Sequence, residues 1–255
     1  MEKISVAIIT KNEGQNIREC LESVKWADEI VVVDNGSTDE TLKICGEYRA
    51  RVFPEDWKGY SDQKNSAIEK TRNEWVLSLD ADERIGPELR QEIEGALQGN
   101  PSVDGYFIAR KNFFLGRWIR HCGWYPDLNL RLFRKSRGRF QERAVHEKVD
   151  LQGKSATLKN PLIHETYRSL SDFFQRMDRY STLAAREMSR EGRRCRFIDV
   201  LFRPPLTFLQ MYVLRAGFLE GYFGFLLSIL YSFYNFAKYN KLKELEGNEK
   251  LHPRK

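Results

Sequence analysis

Residues 4–9 (ISVAII) form an unbroken, mostly β-branched apolar run, the pattern of a parallel strand covered on both faces. The polar stretch Thr10-Lys11-Asn12-Glu13 follows, and then apolar positions at Ile17, Cys20, Leu21 and Val24 whose spacing predicts a helix. A second unit repeats the order. Ile30-Val31-Val32-Val33 reads as a strand ending at Asp34-Asn35-Gly36, with Ser37, Thr38 or Asp39 placed to cap a helix to about Tyr48. A short strand is expected at Arg51–Phe53, a glycine-containing loop at Trp57–Ser61 and a helix near Asp62–Lys70. Trp75-Val76-Leu77-Ser78-Leu79 reads as another buried strand that ends on Asp80-Ala81-Asp82-Glu83, and Pro87 opens a helix to about Leu97.

Strands alternating with helices predict an α/β fold with a mostly parallel sheet and right-handed crossovers. Such sheets bind ligands beyond the carboxyl ends of their strands. Three of those ends carry polar clusters: Thr10–Glu13, Asp34–Gly36 and Asp80–Asp82. After residue 104 the helices drop out. Tyr106–Phe114, Leu128–Phe133, Arg143–Val149 and Ala156–Lys159 read as strands joined by loops, and a helix is expected over Ser171–Arg190 from its three- and four-residue apolar spacing. The expected organisation is a domain over 1–168, divided into a first half (1–104) and a second half (105–168), followed by a helical extension over 169–255.

Charge sharpens that division. The net charge of +6 hides two opposed halves: residues 1–109 carry 13 Lys and Arg against 22 Asp and Glu, whereas residues 110–255 carry 29 against 14. The 255-residue length is enough for a sizeable core, and 31% charged with 13% aromatic residues excludes a disordered chain. Four cysteines without CxxC spacing (Cys20, Cys45, Cys122, Cys195) and an N-terminus without a signal-peptide core lead to the expectation of a reducing, cytoplasmic setting.

A strand ending in Asp-x-Asp suits a hard divalent cation, Mg²⁺ or Mn²⁺, shared with phosphate oxygens. Ile8-Ile9-Thr10-Lys11-Asn12-Glu13, the Val31–Thr41 stretch, Gln63-Lys64-Asn65 and Leu79-Asp80-Ala81-Asp82-Glu83 together resemble the successive motifs of glycosyltransferase family 2. Within it the likeness is greatest to lipopolysaccharide core heptose β-1,4-glucosyltransferases, supported by Gly123–Pro126, Leu130–Lys135, Val145-His146-Glu147 and His164–Tyr167. The resemblance implies a GT-A (Rossmann-like) fold and a nucleotide sugar donor, usually UDP-linked, with inversion at the anomeric carbon. It implies that Asp34 meets the base, that Thr10, Asn12, Glu13, Gly36 and Lys64 line the nucleotide pocket, and that Asp80 and Asp82 face ribose and the metal diphosphate.

Transfer of this kind needs a group to take the acceptor hydroxyl proton. Relatives commonly use an Asp preceded by Glu; here the matching place carries His146-Glu147, which makes Glu147 the candidate base with His146 beside it. Asp127 competes, as the only acid between Asp104 and Glu142. The arginines of the basic stretch 110–143, among them Arg131, Arg134 and Arg143, suit a phosphorylated acceptor, and Trp124 suits an acceptor-side wall. The implied activity is transfer of a hexose, glucose from UDP-glucose, to a heptose of a phosphorylated lipopolysaccharide core. The alternatives are a polyprenyl phosphate or protein acceptor, or a non-catalytic nucleotide-sugar or membrane-binding module. No nucleic-acid-binding motif is present in the sequence, so nucleic acid is not expected as the polyanion; oligomeric state is left open.

Residues 205–239 hold 11 of the 32 aromatics, and Gly221–Ala237 carries no charge. Gly224, Ser228, Ser232 and Asn235 recur at helical spacing, a stripe that suits either packing against another helix or lying in a membrane plane. Arginines upstream, from Arg186 to Arg203, favour the second: a membrane-associating extension on the cytoplasmic surface, where an anionic lipid-linked acceptor would be met.

Overall fold

The computed structural model describes residues 2–99, 101–141 and 148–251. The first βα units follow the periodicity of the sequence: β1 (Ile4–Thr10), α1 (Ile17–Val24), β2 (Glu29–Asp34), α2 (Thr41–Glu47), β3 (Arg51–Pro54), α3 (Tyr60–Glu69), β4 (Trp75–Asp80), the two-residue β5 (Glu83–Arg84) and α4 (Pro87–Ala96). The strand-rich stretch then supplies β6 (Gly105–Phe114), β7 (Arg117–Trp118), β8 (Asp127–Arg134), β9 (Gly138–Phe140), β10 (Val149–Leu151), β11 (Ser155–Thr157) and β12 (Leu162–Tyr167). Helices α5 (Leu170–Arg190), α6 (Phe197–Leu209) and α7 (Tyr222–Leu251) close the chain, with a π turn at Gln210–Leu214 and a 3-10 turn at Gly217–Glu220 between the last two.

The main sheet runs β3-β2-β1-β4-β8-β6-β12-β5. Pairings β2–β3, β1–β2 and β1–β4 are parallel, and the direction reverses where β8 joins β4. The parallel register brings Thr10 opposite Asp34 and Ile9 opposite Asp80, so three carboxyl ends lie side by side. Both faces of β1, β2 and β4 are covered. Val6, Val32, Leu77 and Leu79 pack in one cluster with α1 and α4, and Ala7, Val33 and Val76 pack in another with Ala67 and Ile68 of α3. This double burial is why those segments are continuous apolar runs instead of alternating ones. The expected strand Arg143–Val149 is present only as Val149–Leu151, and residues 143–147 lie outside the described part.

Two compact units partition the chain: residues 1–111 with 127–165, and residues 112–126 with 166–255. The division differs from a boundary at 168/169, because 112–126 groups with the helices. Its side chains supply that unit's core: Phe114, Ile119, Cys122 and Trp124 are buried with Phe173, Met177, Met211 and Leu227. Around them Phe114 meets Trp124, Tyr167 and Phe173 edge-on at 6.1–6.4 Å between ring centroids.

The small-residue stripe of α7 turns out to be a packing surface. Ser228 is fully buried, Ser232 Oγ donates to Pro204 O at 2.7 Å and Asn235 Nδ2 donates to Thr207 Oγ1 at 2.9 Å, tying α7 to α6. Within the described residues, the segment long and apolar enough to cross a membrane is Phe197–Leu214, not 221–237. Gly224 lets the start of α7 lie close against the 3-10 turn. A Cβ there would lie 1.9 Å from Gly217 O, which no rotamer relieves. Gly224→Ala is therefore expected to cost about 1–3 kcal/mol or more and to lower Tm, whereas Gly247→Ala, with open space around it, should be neutral or stabilise by up to about 1 kcal/mol; thermal unfolding of both variants checks the contrast.

Candidate active site

The site is built in the first unit, beyond the carboxyl ends of β1, β2 and β4. At the β1 end, Asn12 adopts a positive φ of 54°. Its N–H donates to Ser37 Oγ at 2.8 Å, and its Oδ1 accepts from Thr38 N at 2.7 Å. Glu13 N donates to Thr41 Oγ1 at 2.8 Å. The Thr10–Glu13 turn and the Asp34–Thr41 turn are thus one hydrogen-bonded body. Thr10 Oγ1 is buried there without a hydrogen-bond partner, a hydroxyl left over for a ligand or water.

Asp34 is 1% exposed and its two oxygens accept from Ser37 N–H, at 2.9 Å, and from Ser37 Oγ. This is the turn chemistry by which Asp shapes a strand-to-helix loop. Gly36, with φ of 70°, supplies the left-handed residue that the turn needs.

At the β4 end the charges interlock. Lys64, buried on α3, places Nζ 2.9 Å from Asp80 Oδ1. Arg131, only 4% exposed on β8, brings Nη2 to 2.9 Å from Asp80 Oδ2 and also donates to Glu83 Oε1. Glu83 Oε2 accepts the Asp80 N–H at 2.9 Å. Burial by itself would raise the Asp80 carboxyl, but Lys64 and Arg131 outweigh it and hold it well below the ordinary carboxylate range. For Glu83, fully buried, burial wins over Arg131 and its pKa is raised. Asp82 points elsewhere: His164 Nε2 on β12 lies 3.5 Å from its Oδ1. Burial disfavours the imidazolium, yet the Asp82 carboxylate prevails and raises the His164 pKa.

A divalent cation is implied by the family resemblance, and the donor set can be tested for fit. Among the described residues no cluster of three or more His, Cys, Asp or Glu side chains is poised for a metal. Asp80, held between two cationic side chains, is a poor ligand for a third. Asp82 with His164 offers one carboxylate and one imidazole, a set that Mn²⁺ or Mg²⁺ can share with phosphate oxygens and water. Such an ion would have Asp82 with His164 beside it, whereas Asp80 is taken up by Lys64 and Arg131.

The other expected site residues fall in several places. Asp127, at the start of β8, is 2.7 Å from Arg110 and accepts from Asn129 Nδ2 at 3.0 Å, so its carboxylate is already engaged. Arg131, expected as an acceptor contact, is an internal ion-pair partner, because its side chain meets Asp80 of β4 and Glu83 of β5. Arg134 lies at the other end of the β4–β8 pairing, opposite Trp75, with its guanidinium 4.8 Å from that ring; the strand ends with the carboxylates lie away from it. Trp124 belongs to the aromatic core of the second unit, 9% exposed. Arg143, His146 and Glu147 lie outside the described residues. The chain on either side of them is pinned: Asn65 exchanges two 2.9 Å hydrogen bonds with the backbone of Phe140, Ser61 Oγ donates to Gln141 O at 2.6 Å, and Gln141 N donates to Lys148 O at 2.9 Å.

The sequence profile of Glycosyl transferase family 2 matches residues 5–159. This chain belongs to glycosyltransferase family 2. It is 32% identical over 92% of its length to the lipopolysaccharide core biosynthesis glycosyltransferase LpsC of Rhizobium meliloti, covering 91% of that protein. A glycosyltransferase of Rickettsia typhi is 33% identical over 96% of this chain and 88% of its own length. Among solved structures, glucosyl-3-phosphoglycerate synthase from Mycobacterium tuberculosis, in complex with Mn²⁺, UDP and glucosyl-3-phosphoglycerate, superposes with a TM-score of 0.51 at 17% identity. That match covers 75% of this chain and 81% of the other, and bears out the GT-A-like α/β fold.

The charge cluster also generates a stability test. Arg131→Met strands Glu83 in the interior and is expected to cost about 3–5 kcal/mol in chemical denaturation. Adding Glu83→Gln, which keeps an acceptor for the Asp80 N–H, should recover part of that loss as a measurable coupling.

Proposed function

We propose that this family 2 glycosyltransferase is an inverting hexosyltransferase that moves glucose from UDP-glucose to a heptose of the phosphorylated lipopolysaccharide inner core. The observation that carries the donor side is the β4 end, where Asp80 is fixed by Lys64 and Arg131 while Asp82 faces His164. Asp80, kept ionised, accepts from a ribose hydroxyl. Lys64, held on Asp80, would bring positive charge to the diphosphate, and Asp34, which also holds the Ser37 turn, is assigned with the Thr10 hydroxyl to the base side. Asp82 and His164 would hold the Mg²⁺ or Mn²⁺, which when bound neutralises the departing diphosphate.

In the transfer, the acceptor hydroxyl oxygen forms its bond to the sugar C1 as the C1–O bond to the diphosphate breaks, and UDP leaves with the bonding pair. The hydroxyl proton passes to a carboxylate. Glu147 is assigned that role, with His146 adjacent; Asp127 is disfavoured because Arg110 and Asn129 occupy its oxygens. An acceptor from the lipopolysaccharide core is supported by the Rhizobium meliloti relative, a lipopolysaccharide core biosynthesis glycosyltransferase. A UDP donor with Mn²⁺ is supported by the ligands of the Mycobacterium tuberculosis enzyme of the same fold.

UDP with Mn²⁺ is expected to raise the Tm of the wild-type chain more than GDP or CMP does, and Asp82→Asn or His164→Ala should remove the Mn²⁺-dependent part. No shift with any nucleotide overturns the donor assignment. Glu147→Gln should leave the UDP shift intact and reduce UDP release from UDP-glucose with a phosphorylated heptose acceptor by a factor of 10² or more, on the order of general-base contributions. Retained turnover would instead move the base role away from Glu147.

A further inference from the structure

We propose that the second unit docks in the plane of an anionic lipid bilayer through one face of α6, the π turn and the adjoining side of α7. The inference goes beyond the transfer reading and stands on the second unit alone. Along α6 and the π turn, Ile198, Leu201, Phe202, Leu206, Leu209 and Val213 recur every three or four residues, and each is at least half exposed. The opposite side of the same helix is also apolar, but covered: Pro204 and Met211 are buried, and Pro204 and Thr207 accept hydrogen bonds from α7. The segment thus carries apolar side chains on both its packed and its exposed side, with its charges confined to Asp199 and Arg203, and in water this leaves a large apolar face uncovered. Tyr222, Phe225, Ile229, Phe233 and Phe236 of α7 are exposed in the same periodic way. Phe225 joins the two faces, with its ring 5.8 Å from both Phe208 and Tyr212.

Charge says what covers this face. No charged residue occurs from Pro204 to Leu214, but exposed arginines bracket the segment: Arg193, Arg194 and Arg196 before α6, and Arg215 at the end of the π turn. Residues 186–203 hold six arginines against three acids. Apolar side chains flanked at both ends by guanidinium groups match an interface of acyl chains below and phosphates above. A protein partner would be expected to meet acidic or hydrogen-bonding complements within the face, and Gln210 and the Tyr222 hydroxyl are the exposed polar groups that interrupt it between Pro204 and Tyr222, apart from the flanking Arg215 and Glu220. Phe197–Leu214 meets the length and mean hydropathy of a spanning helix, 18 residues at 1.2. Asp199 and Arg203 interrupt it, however, and the 11 charge-free residues that remain reach only about 16 Å against roughly 30 Å of hydrocarbon. In-plane docking satisfies both the charges and the ties to α7.

The test uses the full chain in flotation with vesicles of phosphatidylethanolamine and phosphatidylglycerol, and with vesicles of phosphatidylcholine alone. Flotation with the anionic vesicles is expected, weakened on neutral ones and by about 0.5 M NaCl. Replacing Arg193, Arg194 and Arg196 by Gln should weaken partition roughly tenfold to a hundredfold, and Leu206→Glu with Leu209→Glu should abolish it, while circular dichroism and a cooperative thermal melt report that the variants fold. Leu206→Trp should be quenched by lipids brominated at shallow acyl positions. The proposal is overturned by wild-type chain that stays unbound to anionic vesicles, by binding indifferent to lipid charge and salt, or by resistance to alkaline extraction, which marks a spanning helix. It is equally overturned by a two-copy mass in light scattering that Leu206→Glu dissociates without any vesicle binding, since the face is then a contact between copies.

Discussion

The ion-pair cluster at the end of β4 is the constraint around which the first unit is organised. Two carboxylates, Asp80 and Glu83, and two cations, Lys64 and Arg131, meet there with little access to water. Each charge is brought by a different piece of backbone: Lys64 by α3, Arg131 by β8, and the acids by β4 and β5. Removing a charge from water costs several kcal/mol, and only close partners return it. The cluster is thus satisfied only when the parallel and antiparallel parts of the sheet are correctly joined at β4–β8. It ties correct assembly of the sheet to the presence of an ionised Asp80.

The neighbouring turns follow the same logic with neutral groups. Asn12, Ser37, Thr38 and Thr41 close hydrogen bonds between the β1 and β2 ends, so the loops that would surround a nucleotide are fixed to each other before one arrives. Preorganisation of this kind lowers the ordering cost of binding. Asp82 is the exception. It lies past the strand end, with an imidazole as its neighbour, and is the carboxylate in this group best placed to change partners.

Much of this was legible from side-chain order. Continuous β-branched runs followed by polar clusters identify β1, β2 and β4 and place Thr10, Asp34, Asp80 and Asp82 at adjacent strand ends, because parallel strands share a direction. Arg131 was not legible as an interior residue. In Leu130-Arg131-Leu132 the alternation reads as an apolar face and a wet face, but the β6–β8 register is irregular there, Leu130 and Leu132 pack in different clusters, and Arg131 meets Asp80 and Glu83 in the interior. His164 escaped for a similar reason: its approach to Asp82 depends on a two-residue antiparallel pairing of β12 with β5, in which His164 lies opposite Glu83, a contact across about eighty residues that no local pattern encodes. The small-residue stripe of α7 suited either a helix seam or a lie in the membrane plane, and the upstream arginines favoured the membrane; the hydrogen bonds to Pro204 and Thr207 decide for α6.

Helix α3 carries two tasks on consecutive residues. Lys64 holds Asp80, and Asn65 holds the backbone of Phe140, ahead in sequence of Glu147. The two side chains are anchored to one rigid turn of helix, so neither can be displaced alone. On the proposed roles of Asp80 and Glu147, a change that tilts α3 would reach nucleotide affinity and proton removal together, appearing in KM and kcat at once. In a family whose members differ in donor and acceptor, that linkage makes this helix a poor place to alter one specificity without disturbing the other.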